Sequence, residues 1–205
     1  SGISASYVRT SSDSLGVTID NSSSVNEFTV GHLTPLSISA NKSLGGAVDI
    51  YSKVHLQLNN SGTLVATVTI KGDAFGSGTV GGKFEVKETM TFSGALQQTT
   101  DHNGLEIIID SGKTLTYTGS VINVGNHTLK LSGGGTLDNT NNLTIDNSGS
   151  KLTISESTKV SRILVSASGT GNGMTISDRA ANFTGNLVEN LQLNSSLSVA
   201  SDVIW

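Results

Sequence analysis

The chain has 205 residues and a net charge of −4 from 12 basic and 16 acidic side chains, enough length to bury a real core. The absence of any basic cluster excludes the electrostatic footprint of a nucleic-acid binder, and no apolar run approaches the length that spans a membrane. Cysteine is absent, which excludes disulfide frameworks and thiolate metal sites and fits an exported bacterial protein.

Ser 31, Thr 24, Asn 17 and Gly 24 make up nearly half of the chain. Such residues favour turns and solvated strand faces over helix. Hydrophobic residues still reach 35%, mostly Val, Ile and Leu at regular spacing, which argues against disorder.

In chain order, residues 1–82 are the less regular part. The serine-rich stretches 1–14 and 22–24 read as loop or frayed terminus, and Ser1-Gly2 reads as a processing or cloning edge. Strand-like pieces follow at Val17-Thr18-Ile19, Leu36-Ser37-Ile38, Val54-His55-Leu56-Gln57-Leu58 and residues 64–70, spaced near twenty. They predict irregular rungs or a capping region. Gly76-Ser77-Gly78-Thr79-Val80-Gly81 matches a dinucleotide fingerprint, with Asp101 twenty residues on. That motif must open a helix, whereas Lys83-Phe84-Glu85-Val86-Lys87 alternates like a strand. A glycine-rich turn is the reading.

From residue 83 to 205 the chain repeats. Apolar pairs two residues apart recur at Phe84/Val86, Ile107/Ile109, Leu129/Leu131, Leu152/Ile154, Met174/Ile176 and Leu197/Val199, with spacings of 22 or 23. A second register runs through Phe92, Leu115, Leu137, Val160, Phe183 and Trp205. A third runs through Val121, Leu143, Val165 and Leu187. At about 3.3 Å per residue, such a repeat holds three short strands and three corners. One repeat cannot bury its apolar side alone, and stacking repeats about 4.8 Å apart closes a continuous core. The fold expected is all-β, a right-handed parallel β-helix. Turn residues fall between strands at Asn123-Val124-Gly125-Asn126, Ser132-Gly133-Gly134-Gly135 and Asn147-Ser148-Gly149-Ser150. A helix over residues 178–193 competes with the rungs, but Thr184, Gly185 and Asn186 weaken it and rungs are preferred. Trp205 falls inside a rung, so either the chain is expected to continue in a longer protein or Trp205 itself partly plugs the end.

Candidate chemistry is sparse. Glu156 and Asp178 each lie four residues past the first register and stack on adjacent rungs, a weak cation candidate set against two solvated carboxylates. Gly133-Gly134-Gly135-Thr136-Leu137-Asp138 resembles a calcium-binding nonapeptide, but Thr136 stands where glycine is needed and no tandem copy follows. His32, His55, His102 and His127 show no metal-ligand spacing. No nucleophile elbow is present. The Asn-x-Ser/Thr matches at Asn21, Asn41, Asn59, Asn126, Asn142, Asn182 and Asn194 are expected from composition. No catalytic residue, metal site or cofactor is assigned.

Stretches such as Leu129-Lys130-Leu131-Ser132-Gly133-Gly134-Gly135-Thr136-Leu137 and Leu143-Thr144-Ile145-Asp146-Asn147-Ser148-Gly149 resemble passenger domains of autotransporters and filamentous-haemagglutinin-like adhesins. The resemblance covers residues 83–205. It implies a non-catalytic adhesin or stalk at the cell surface or outside the cell, attaching to a glycan or protein on a cell or abiotic surface. Two other readings are a pectate-lyase-like polysaccharide enzyme and a phage tail-spike fragment. The enzyme needs acids clustered with Arg or Lys and sugar-stacking aromatics, yet Arg9, Arg162 and Arg179 are the only arginines. The tail-spike requires a trimer.

Overall fold

Alternating apolar and polar residues make each short segment a strand with one side to bury. A computed structural model describes residues 7–9, 16–30, 33–51, 55–59, 62–71, 82–98, 104–123, 128–145, 151–156, 158–165, 173–177, 188–193 and 198–199. After β1 (Tyr7–Arg9), two rungs each hold two strands: β2 (Val17–Ile19) with β3 (Ser23–Val30), and β4 (Thr34–Ile38) with β5 (Ser43–Tyr51). The next four hold three. They are β6 (His55–Leu58), β7 (Thr63–Leu64) and β8 (Thr67–Lys71), then β9 (Gly82–Val86), β10 (Met90–Phe92) and β11 (Leu96–Gln98). They continue with β12 (Gly104–Ile109), β13 (Thr114–Tyr117) and β14 (Ile122–Asn123), then β15 (Thr128–Ser132), β16 (Thr136–Asn139) and β17 (Leu143–Ile145). Two strands per rung return with β18 (Lys151–Ser155) and β19 (Lys159–Val165), β20 (Gly173–Ser177) and β21 (Val188–Leu193), followed by β22 (Ser198–Val199). No helix occurs among the described residues, and so none long and apolar enough to cross a membrane.

The first strand of each rung joins one nine-stranded sheet in the order β2-β4-β6-β9-β12-β15-β18-β20-β22. The remaining strands form a branched thirteen-stranded sheet, in which β5 pairs with both β7 and β8 and β19 pairs with both β16 and β17. Named strand pairs are parallel, as between β9 and β12 or β15 and β18. The molecule is a parallel β-solenoid.

Its core is built from columns of inward side chains. Leu36, Leu58, Val86 and Ile109 stack on successive strands of the nine-stranded sheet, as do Phe84, Ile107, Leu131 and Ile154. All eight are buried. Opposite them, Phe92 bridges Phe84 and Tyr117, with ring centroids 5.6 and 5.0 Å apart. Such stacking adds about 0.5–1.5 kcal/mol per pair beyond area burial.

The observed register departs from the simple 22–23 repeat in several places. Phe84 pairs with Ile107 and Leu129 with Leu152 as expected, but Ile107 lies over Leu131, and Leu105 over Leu129. Phe92 lies over Tyr117, and Met90 over Leu115. The cause is a corner with two extra residues. Residues 110–113 form a turn closed by Lys113 N–H donating to Asp110 O at 2.9 Å, and this lengthens one step of the branched sheet to 25 residues before the next returns to 22. A two-residue slip keeps every side chain on its own face, so the inward assignment survives the wrong partner. Further on, Met174 lies over Val199.

The third register is corrected more strongly. Val121 is 48% exposed, and it is Ile122 that is buried and pairs with Leu143. Leu143 lies over Ile163, and Val165 pairs with Ile145. Of the disputed 178–193 segment, Val188–Leu193 is strand β21. Phe183, Leu187 and Trp205 lie outside the described residues, as does the Gly76–Gly81 motif, although the segment after it is strand β9.

Candidate functional site

The outward positions of β6, β9, β12 and β15 bring His55, Lys83, Glu85, Glu106 and Lys130 together on one face. Because successive side chains alternate in direction, the inward set on β9 (Phe84, Val86) leaves Lys83 and Glu85 outside, with Lys87 following the strand. Strand register then places unlike charges next to each other. His55, Lys83, Glu106, Lys130 and Thr153 form one column across five rungs, and Gln57 lies over Glu85 in the next.

Two carboxylates organise the strip. Glu106 lies between two ammonium groups, Lys83 Nζ at 3.3 Å and Lys130 Nζ at 2.8 Å, and accepts a hydrogen bond from Ser132 Oγ at 2.9 Å. Glu85 accepts from Gln57 Nε2 at 2.8 Å, while Lys87 Nζ is 2.8 Å away. His55 Nε2 lies 2.7 Å from the same carboxylate, at ion-pair distance but off the line of a good hydrogen bond. Lys87 also reaches Asp110 at 3.3 Å.

Burial alone would raise the Glu85 carboxyl, but hydrogen bonds from Lys87 and Gln57 and the charges of His55 and Lys87 outweigh it and hold the group below its ordinary range. Glu106 follows the same pattern: burial pushes it up, and hydrogen bonds from Lys130 and Ser132 with the charges of Lys130 and Lys83 outweigh that and hold it below its ordinary range. Lys87 is raised, first by its hydrogen bond to Glu85. Both glutamates are therefore ionised near neutral pH and are poor proton donors. Cross-rung pairs of this kind are worth about 0.2–1 kcal/mol each, and they favour one register over its two-residue neighbours.

Glu156 stands elsewhere, at the corner after β18. Its backbone is left-handed, with φ 58°, and its Oε2 accepts from Gly133 N–H at 2.5 Å. Gly133 and Gly134 carry positive φ of 97° and 78°, a backbone that glycine adopts without steric cost. Gly134 N–H meets Thr158 Oγ1 at 3.1 Å, and that hydroxyl donates to Ser155 O at 2.7 Å. The chain's own carboxylate and hydroxyl thus fill the glycine corner of the rung before. Asp178, the other half of the expected cation pair, lies outside the described residues, as do His32, His102 and His127. Among the described residues, no group of three or more His, Asp or Glu side chains is placed to hold a metal.

The charged strip is not evident from motif reading, yet it left a trace. Once the rung spacing is known, Lys83, Glu106 and Lys130 recur at steps of 23 and 24 with alternating sign. Compared with family models, with curated proteins and with solved structures, the chain matches none.

Proposed function

We propose that the chain is a rigid, non-catalytic rod of an adhesin-type protein at a cell surface or outside the cell, which attaches to cells, surfaces or glycans. One observation carries this reading: nine parallel strands stack without interruption in a single sheet, giving a rod roughly 40 Å long at about 4.8 Å per rung. Its outward side chains are hydroxyls, amides and interlocked charges, of the kind that a spacer presents to a partner.

The cluster of Glu85, Glu106 and Asp110 among lysines is the feature that would favour a polysaccharide-cleaving enzyme. Cleavage with acid assistance needs a carboxyl that holds its proton near neutrality. The two enclosed glutamates here are shifted the other way, which weighs for the rod. Binding of the purified chain to cells and to arrayed glycans, measured beside cleavage of the same polysaccharides, tests the proposal. Attachment without cleavage is expected. Cleavage of a pectin-like polymer would overturn it.

A further inference from the structure

The charges of the strip are layered. Two of its carboxylates sit low, with Glu85 and Glu106 side chains 9% and 18% exposed, while Lys83, Lys87 and Lys130 ride above them at 44%, 37% and 44%; the third, Asp110, lies level with Lys87 at 35%. A chain of net charge −4 therefore presents three ammonium groups on this face and keeps two of their three partner acids beneath them. We infer that the strip is a docking track for an acidic, carboxylate-bearing polysaccharide strand laid along the rod. This rests on the rod reading and names the ligand class that its charged face would take.

Geometry and charge support that occupant. Lys83 and Lys130 share one column two rungs apart, a separation of roughly 9–10 Å, and Lys87 flanks them just past the end of β9. Glu106 tethers the first two from below, and Glu85 with Asp110 tethers the third. Holding long side chains in place beforehand lowers the entropy cost of binding. An ammonium has three donors. Lys83 and Lys130 each spend one contact on Glu106, so donors remain for a ligand carboxylate. Gln57 and Thr153 border the lysines and offer neutral hydrogen-bonding groups to sugar hydroxyls.

Other anionic partners fit less well. An extended peptide adds to an open strand edge or fills side-chain pockets, but β9, β12 and β15 are each paired on both edges. A nucleic acid, with its dense phosphates, needs a broad basic field, and the rest of the chain is net acidic.

The test measures binding of an oligomer of a uronic acid, a neutral glucan of equal length and a single-stranded oligonucleotide to the whole chain. The uronate oligomer is expected to bind, weakening at least about tenfold as salt rises from low to a few tenths molar, because such contacts are screened. The neutral glucan is expected not to bind. Replacing both lysines (Lys83→Gln, Lys130→Gln) is expected to weaken uronate binding about tenfold, whereas Lys83→Arg with Lys130→Arg retains it. Thr153→Lys continues the lysine column on a solvent-facing site and is expected to tighten binding about threefold, so the inference does not hang on variants that lose an ion pair. It is overturned if the glucan or the oligonucleotide binds as tightly as the uronate, or if neither the glutamine pair nor Thr153→Lys changes the affinity. Attachment to cells, scored with the same variants, separates the two readings. A chain that attaches to cells equally well with and without Lys83 and Lys130 keeps the rod reading and loses this one.

Discussion

The N-terminal rungs, β2 to β5, and the middle rungs, β6 to β17, feed the same nine-stranded sheet but return to it by different paths. In the N-terminal rungs one continuous strand carries the chain around, and β3 slips register against β5 between Val25 and Phe28. In the middle rungs a corner divides the return into two short strands. There Asn141 Nδ2 donates to Gly119 O at 2.6 Å, joining one corner to the next. Leu36 follows Val17 by 19 residues, while Ile107 follows Phe84 by 23. Corners, then, set the rung length. The sheet demands only that inward side chains alternate.

The largest expected effect asks whether both regions belong to one cooperative stack. In a solenoid each rung is stabilised chiefly by its two neighbours. Ile107 lies on the fifth of nine strands and is buried, as is Leu36 on the second. Ile107→Asp places an unpaired carboxylate in the core at a cost of about 4 kcal/mol or more, and is expected to abolish the cooperative thermal transition. Leu36→Asp is expected to strip hydrogen-exchange protection from β2 to β5 while β12 to β18 stay protected. Loss of protection throughout in the Leu36 variant would show that the regions are a single unit. Within one rung, buried Leu152→Asp is expected to behave like Ile107→Asp, whereas outward Thr153→Asp shifts stability by no more than about 0.5 kcal/mol. Equal tolerance of the two in a thermal melt would contradict the inward assignment of Leu152.

The middle corners yield the next effects. Gly133 has φ 97°, and a Cβ there would lie 2.4 Å from Ile109 O, so Gly133→Ala is expected to cost about 2–4 kcal/mol. Gly112 has φ 74° but open space around it, and its alanine variant should cost only about 1 kcal/mol. Similar melting curves for the two variants would mean that the rungs give way at that corner. Asn139 is buried where the column below it holds Tyr117. Its amide donates to Asn141 O and Arg162 O, both at 2.8 Å, and accepts from Arg162 N–H at 3.1 Å. Asn139→Leu strands those backbone groups and is expected to cost about 1–3 kcal/mol in chemical denaturation.

Asn139 also shows where sequence reading stops. Hydrophobic alternation revealed the strands, the parallel stack and most inward residues from Phe84 to Ile154, because periodicity of two survives any even slip, but it passed over Met90, Leu96, Leu105, Tyr117 and Ile122. Partner identity needed corner lengths, and these depend on hydrogen bonds such as Lys113 to Asp110 that no apolar pattern encodes. Val121 and Ile122 are neighbours of similar hydrophobicity, so only the corner geometry decides which turns inward. The lysine–glutamate column was hidden for the same reason: its members lie 23 and 24 residues apart, and the pairing becomes visible only once the rungs are aligned.

The smallest effect concerns that charged strip, which the described N-terminal rungs lack; there Pro35 lies over Gln57 in the Glu85 column, and Thr18 and Ser37 occupy the next outward column. Glu85 and Glu106 are held below their ordinary range in the folded chain. A carboxyl lowered by folding contributes stability above its unfolded value of about 4.3, and that contribution disappears as pH falls through the folded value. Between pH 7 and 5 the pairs should therefore be intact. Below about pH 4 the protons return, first in the unfolded state, and the ladder's share of stability drains away. Glu85→Gln with Glu106→Gln removes that dependence, so its melting temperature is expected to fall less steeply on acidification than that of the parent. The difference should be a few degrees, given about 2–4 °C per kcal/mol for a chain of this size. Parallel acid limbs in the two proteins would mean that the lysines lie over carboxylates they do not stabilise, and that the layered charge of the middle rungs contributes no more to the fold than the hydroxyls of the first ones.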